Sequence, residues 1–224
     1  KIIPQLWHVG AQRVKGTEPD REVPGYAPSA VATGERDVPI AMSKDDIKDC
    51  ITAFTEAAVN AREVGFDGIE VHGAHGYLID QFYWERSNQR TDEYGGSFEN
   101  RNRFGKEIVE SIRAAVGPDF LIVYRFSQWK SDDYEAKIAK TPEELERFLK
   151  TLTDAGVDVF HASTRRFWEP EFEGSDLNLA GWCKKLTGKP AITVGSIGLD
   201  DPSWAGANST DVDVLVKRME KGEF

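Results

Sequence analysis

The chain has 224 residues, 40% apolar and 11% aromatic, enough to bury a sizeable core and to exclude a disordered segment. Lys and Arg number 28 against 38 Asp and Glu, and the net charge of −10 argues against general binding to nucleic acid or to an anionic membrane. No apolar run reaches the roughly 18 residues a transmembrane helix needs. Cys50 and Cys183 lie far apart, which fits neither a disulfide scaffold nor a Cys-rich zinc or iron–sulfur site, so a reduced cytoplasm is the default location.

The sequence opens on Ile2–Trp7, which reads as a strand with no Met or charged-then-apolar leader before it, and it closes just after a helix-like stretch. An internal piece of a longer chain is therefore expected. Residues 16–39 read as a long loop, a length that is often functional. Ser43 then caps a helix in which Ile47, Ile51, Phe54, Ala58 and Ala61 recur at helical spacing until Gly65 stops it. Phe66–His72 is the next strand, and Glu99–Ala115 the next helix, ended by Gly117-Pro118. After the strand Phe120–Phe126, Thr141-Pro142-Glu143-Glu144 combines an N-cap, a first-turn proline and a capping-box Glu. That helix runs through Leu145, Phe148 and Leu152 to Gly156. Val157–Ser163 and Pro190–Val194 are strands, with weaker helices over Ser175–Leu186 and Thr210–Glu220. The joins Val64-Gly65-Phe66-Asp67 and Ala155-Gly156-Val157-Asp158 repeat at a separation of 91 residues.

Apolar strands alternating with helices make a parallel sheet buried on both faces, as a doubly wound fold or a (β/α)8 barrel. No strand leads into the Gly-x-Gly-x-x-Gly of a dinucleotide fold. Polar residues gather instead at strand carboxyl ends: Gln5 and His8, His72 and His75, Arg125 and Ser127, His161 and Ser163, Gly195 and Ser196. In a barrel those ends open onto one face, where active sites are built. Five strands rather than eight predict an α/β fold present as a partial TIM barrel. Residues 1–224 then form a single partial domain lacking N- and C-terminal units.

Several residues in this frame are suited to chemistry. His72 and His75, three apart past a buried strand, can each donate an N–H to one ligand oxygen, and Tyr77 carries a proton to deliver. They are equally open to a reading as backbone-bonded loop histidines beside a packed aromatic. Metal binding is disfavoured, since no third ligand follows at a recognisable spacing. The block Ser87–Arg101, dense in balanced charge, reads as internal salt bridges and capping. Arg125 ends an apolar strand and needs a carboxylate, a phosphate or an electron-rich ring as partner. The Gln5 amide donates and accepts together, suiting a heterocycle edge. Amides around Gly195 and Ser196 suit a phosphate or an ordinary turn. The aromatic-rich stretch Arg165–Glu173 lines a substrate mouth or packs as a loop.

Taken together, Pro4-Gln5-Leu6-Trp7-His8-Val9-Gly10, His72-Gly73-Ala74-His75-Gly76-Tyr77-Leu78-Ile79-Asp80-Gln81-Phe82 and Ser87-Asn88-Gln89-Arg90-Thr91-Asp92-Glu93-Tyr94-Gly95-Gly96-Ser97 resemble the old yellow enzyme family. The likeness continues through Arg125 and Gly195-Ser196-Ile197-Gly198, with Ala11 where that family usually has Arg. The resemblance implies a (β/α)8 barrel holding non-covalent FMN, reduced by NADH or NADPH, that reduces alkenes activated by a carbonyl or nitro group. It further implies that Gln5, Arg125, Gly195 and Ser196 bind the flavin, that His72 and His75 grip the substrate oxygen, and that Tyr77 supplies the proton. The implied partner is a small-molecule activated alkene, with no nucleic acid or membrane, and pairing into a homo-oligomer is compatible. An amine dehydrogenase-like barrel and a non-catalytic ligand-binding barrel are the alternatives.

Overall fold

The computed structural model describes residues 1–18, 20–32, 36–198 and 212–224. In chain order it contains β1 (Gln5–Leu6), a 3-10 turn at Gly10–Gln12, β2 (Tyr26–Ala27), β3 (Ile40–Ala41), α1 (Lys44–Glu63), β4 (Gly68–His75) and α2 (Leu78–Tyr83). Then follow α3 (Phe98–Val116), β5 (Leu121–Lys130), α4 (Pro142–Ala155), β6 (Val159–Ser163), α5 (Leu179–Thr187), β7 (Ala191–Val194) and α6 (Val212–Glu220). Strands β1, β4, β5, β6 and β7 form one sheet in that order, and every pairing in it is parallel. Sequential strands lie side by side with the major helices between them, the arrangement expected from the alternation of periods.

Local chemistry sets the element ends. The Ser43 hydroxyl accepts from Asp46 N–H while the Asp46 carboxylate takes Ser43 N–H, closing a capping box at the start of α1. Thr141 caps α4, but the Glu144 carboxylate accepts from Lys140 N–H rather than from Thr141, so the box expected there is displaced by one residue. Asn178 caps α5, which begins at Leu179 instead of near Ser175. The expected start of the last helix at Thr210 lies outside the described residues. The repeated joins carry a shared device: Asp67 accepts from Ile2 N–H at 2.8 Å, and Asp158 from Ile122 N–H at 2.9 Å. Each aspartate ties its join to the start of the preceding strand in the sheet.

The layer between sheet and helices is apolar. Phe104, Ile108 and Ile112 of α3 and Leu145, Phe148 and Leu152 of α4 are buried against Ile69 and Val71 of β4, Ile122 and Tyr124 of β5 and Phe160 of β6. Full burial of one such side chain contributes roughly 1.5–3 kcal/mol. Three features exceed the sequence reading: β5 continues past Phe126 to Lys130, α2 follows Tyr77 directly, and the long loop is stapled by the β2–β3 pair. No helix among the described residues is long and apolar enough to cross a membrane.

Candidate active site

Side chains alternate across a strand, so residues two apart share a face. Glu70 and His72 of β4 therefore share one face, and so do His161 and Ser163 of β6. Sheet register aligns Gln5 with Glu70, His72 with Arg125, and Arg125 with His161. One polar band thus crosses the carboxyl ends of four strands, on the face opposite the helix-packed core.

The two histidines and Tyr77 come together in it. Ring centroids lie 5.1 Å apart for His72 and His75, 5.4 Å for His72 and Tyr77, and 6.5 Å for His75 and Tyr77, with Trp7 edge-on to Tyr77 at 4.9 Å. His75 ends β4 with φ of 62°, a left-handed conformation that costs a non-glycine residue and persists only where neighbours enforce it. Those neighbours are visible. Ser127 Oγ accepts His75 N–H, Gln12 and Ser131 side chains donate to the His75 carbonyl, and the Trp129 ring stacks on the imidazole at 4.5 Å. Gly76, between His75 and Tyr77, donates its N–H to Asp80 Oδ2 at 2.7 Å and accepts from Gln81 Nε2 at 2.6 Å. Asp80 in turn pairs with Lys130 at 2.6 Å, both side chains almost wholly buried.

Burial, reinforced by the Arg125 cation, lowers His72 to about 4; burial, then His72 and Arg125, lowers His75 to about 3. Both rings are neutral at pH 7, each with one N–H to give. An unfolded chain protonates these histidines near pH 6.5, while the folded pair resists until about 4 and about 3, so the unfolded state binds more protons in between. Stability therefore falls as pH drops below 6.5, by up to about 1.4 kcal/mol per pH unit for each ring. Urea unfolding measured from pH 7 to 4.5 should show this slope, and His72→Asn/His75→Asn should flatten it. An unchanged slope in the variant would contradict the assignment.

Beneath the histidines, Glu70 accepts from Gln5 Nε2 at 2.5 Å and contacts His161 Nδ1 at 2.6 Å. Burial pushes Glu70 upward, but His161, Gln5 and Arg125 together hold it below the ordinary carboxylate value. One Gln5 N–H is thus already committed to protein, so the amide is less free on its donor side than the sequence suggests. Among the described residues Arg125 makes no ion pair: its guanidinium feels Glu70, donates to Ser163 Oγ at 3.3 Å, and keeps a buried Nε without a partner. His72 Nδ1 and His161 Nε2 are also buried and, among the described residues, unpartnered. Buried nitrogens left unpaired are costly and rare. Three such nitrogens lie on adjacent strands of this band.

Gly195 follows β7 with φ of 128°, and a Cβ there would lie 2.6 Å from the Thr164 carbonyl oxygen, so only glycine fits. Ser196 is also left-handed at φ 54°, and its hydroxyl donates to the Arg165 carbonyl. Among the described residues neither backbone N–H donates to a protein acceptor. In the aromatic stretch Phe167 is buried, while Arg165 and Glu169 join Trp129, Tyr134 and Ser163 around a cavity of about 210 Å³. The charged block is structural, with Arg90 bonded to Asp92 and to the Pro28 and Met42 carbonyls. Glu70, Asp80, Lys130 and Trp129 were not singled out from sequence. Glu70, a lone carboxylate within the apolar run Ile69–Val71, was the available signal.

A profile of the NADH:flavin oxidoreductase / NADH oxidase family matches residues 1–216. The chain is 43% identical over 208 residues to an NADH oxidase of Thermoanaerobacter brockii, covering 88% of this chain and 31% of that protein. It is 43% identical over 168 residues to 12-oxophytodienoate reductase 2 of Arabidopsis thaliana, covering 70% of this chain and 44% of that protein. The chain thus spans less than half the length of either relative. The solved old yellow enzyme homologue of Zymomonas mobilis superposes with a TM-score of 0.77 at 24% identity, over 99% of this chain and 60% of that one. The parallel sheet is accordingly the wall of a (β/α)8 TIM barrel of which this chain forms part, and not of a doubly wound fold. A profile match over nearly the whole sequence, agreeing with that fold, establishes that the chain belongs to the NADH:flavin oxidoreductase / NADH oxidase family, the old yellow enzyme family.

Proposed function

We propose that residues 1–224 are a single FMN-binding partial barrel of an NAD(P)H-dependent ene-reductase acting on alkenes activated by a carbonyl or nitro group. The observation that carries this reading is the cluster of two neutral imidazoles and a tyrosine beside the partly unpaired Arg125. The residues fit a flavin mononucleotide. Arg125 keeps a buried Nε in need of an acceptor, Gln5 retains its amide oxygen and one N–H, and the Gly195 and Ser196 amides are available to a phosphate. Bound there, FMN supplies the two-electron carrier between NAD(P)H and the carbon–carbon double bond.

The side chains do the rest. His72 and His75 each place one N–H on the substrate oxygen, and negative charge that grows on that oxygen during reduction strengthens both bonds in the transition state. Their neutrality keeps them as donors without competing for the proton. Tyr77, held by the Gly76 clamp and packed on Trp7, gives its hydroxyl proton to the α-carbon. Arg125 would help hold the cofactor, and its fixed cation would stabilise negative charge there. The relatives do not favour the amine dehydrogenase-like or non-catalytic readings.

The test is optical. Purified protein should be yellow, lose its visible absorbance anaerobically with NADPH, and recover it on addition of 2-cyclohexenone. Absence of a flavin spectrum, or bleaching that an enone does not reverse, overturns the proposal.

A further inference from the structure

Ser163 lies between two members of the site. Its Oγ is 2.8 Å from His75 Nε2 and 3.3 Å from Arg125 Nη2, and its side chain is almost completely buried. A guanidinium nitrogen only donates, so Ser163 Oγ accepts from Arg125. The serine proton then needs an acceptor. Among the described residues, His75 Nε2 is the single acceptor within reach of that hydroxyl. If Nε2 carried a proton instead, Ser163 would accept twice and bury its own O–H unpaired, at a cost avoided by the other arrangement.

We propose that Ser163 is a positioning residue that fixes His75 as its Nδ1–H tautomer, so that Nδ1–H is the donor this imidazole offers to the substrate oxygen. The assignment of that donor to a substrate rests on the ene-reductase reading; the tautomer itself does not. Two further contacts keep the ring from turning over. Trp129 stacks on it at 4.5 Å with an interplanar angle of 24°, and the Trp129 indole N–H bonds the Ser163 carbonyl at 3.0 Å. Among the described residues the His75 ring makes its hydrogen bond to protein through Nε2 alone, leaving Nδ1 free to face a ligand. The relay Arg125 to Ser163 to His75 also polarises in one direction: each donor strengthens the next, and the final N–H becomes a better donor to an oxyanion.

The chain has only four histidines, so [15N]histidine labelling gives a readable spectrum. Long-range 1H–15N correlation on the flavin-loaded protein, with the His75→Gln variant to assign the signals, should show His75 protonated at Nδ1. Ser163→Ala should shift it toward a mixture of tautomers and lower kcat/KM for 2-cyclohexenone by about tenfold, the loss of one oriented hydrogen bond. Its flavin content should be unchanged, and Ser163→Thr, which keeps the hydroxyl, should restore both the tautomer and the rate. An Nε2–H tautomer in the wild-type protein, or a Ser163→Ala protein with unaltered tautomer and kcat/KM, overturns the proposal. Failure of the ene-reductase reading would appear separately, as a correct tautomer in a protein that does not turn over the enone.

Discussion

Alanine at both His72 and His75 is expected to lower kcat/KM toward a cyclic enone by roughly 10⁴-fold while FMN stays bound. The size follows from the role. Removing one donor to a developing oxyanion costs about 3 kcal/mol, or 10²- to 10³-fold, and two donors acting on one atom add less than fully. Retention of flavin follows from the separation of duties, because the proposed flavin contacts at Gln5, Arg125, Gly195 and Ser196 include neither imidazole. Single Asn replacements sharpen the test. Asn keeps an N–H of similar reach, so His75→Asn should retain more activity than His75→Ala, and no change in flavin absorbance should accompany either. Turnover in the double alanine variant within tenfold of wild type would remove the histidines from the substrate oxygen. Loss of FMN along with activity would instead place them in the cofactor site.

What the sequence made legible has a physical pattern. Element identity depends on short-range signals, and these were strong: Ser43 and Thr141 as caps, Gly156 in a left-handed helix end, and apolar steps of three and four on α1 and α4. The strand ends were less clear. Ser127, Trp129 and Lys130 are polar or aromatic and follow a mostly apolar run, so the strand pattern of β5 ends at Phe126 although the strand extends to Lys130. His72, His75 and Tyr77 were readable because they are neighbours in the chain. What holds them was not. Ser163 reaches His75 across 88 residues and Lys130 reaches Asp80 across 50, and no local periodicity encodes such pairings. Glu70 is intermediate. Its charge within an apolar strand announces a partner, but only sheet register shows that the partners are Gln5, five residues into the chain, and His161.

Asp80 and Lys130 test whether that hidden layer supports the loop proposed to be catalytic. The pair is 2.6 Å apart with side chains 0% and 1% exposed, and the second Asp80 oxygen holds the Gly76 N–H immediately before Tyr77. Burial pushes the carboxyl of Asp80 up and the ammonium of Lys130 down, and each group restrains the shift of the other. Asp80→Asn removes the charge and turns one of its two acceptor oxygens into an NH2 donor; with the amide oxygen kept for the Gly76 N–H, Lys130 has the Ser127 carbonyl at 3.4 Å as its remaining hydrogen-bond acceptor among the described residues. Breaking one side of a buried pair costs about 3–5 kcal/mol, which for a chain of this size lowers Tm by roughly 10 °C. The deficit has a pH signature. In Asp80→Asn the unpaired Lys130 gives up its proton in the folded state well before the unfolded chain does near pH 10.4, so the unfolded state binds more protons and stability rises with pH. The loss should therefore shrink between pH 7 and 9.5. Asp80→Asn/Lys130→Met, which buries no charge, should recover most of the stability at pH 7. A single variant within 1 kcal/mol of wild type, or one whose deficit does not change with pH, would show that Lys130 has another way to meet its charge. If the double variant is stable yet slow with enones, the pair holds the Gly76–Tyr77 turn in its working geometry as well as stabilising the fold, because the charge is gone and only the anchoring of that turn has changed.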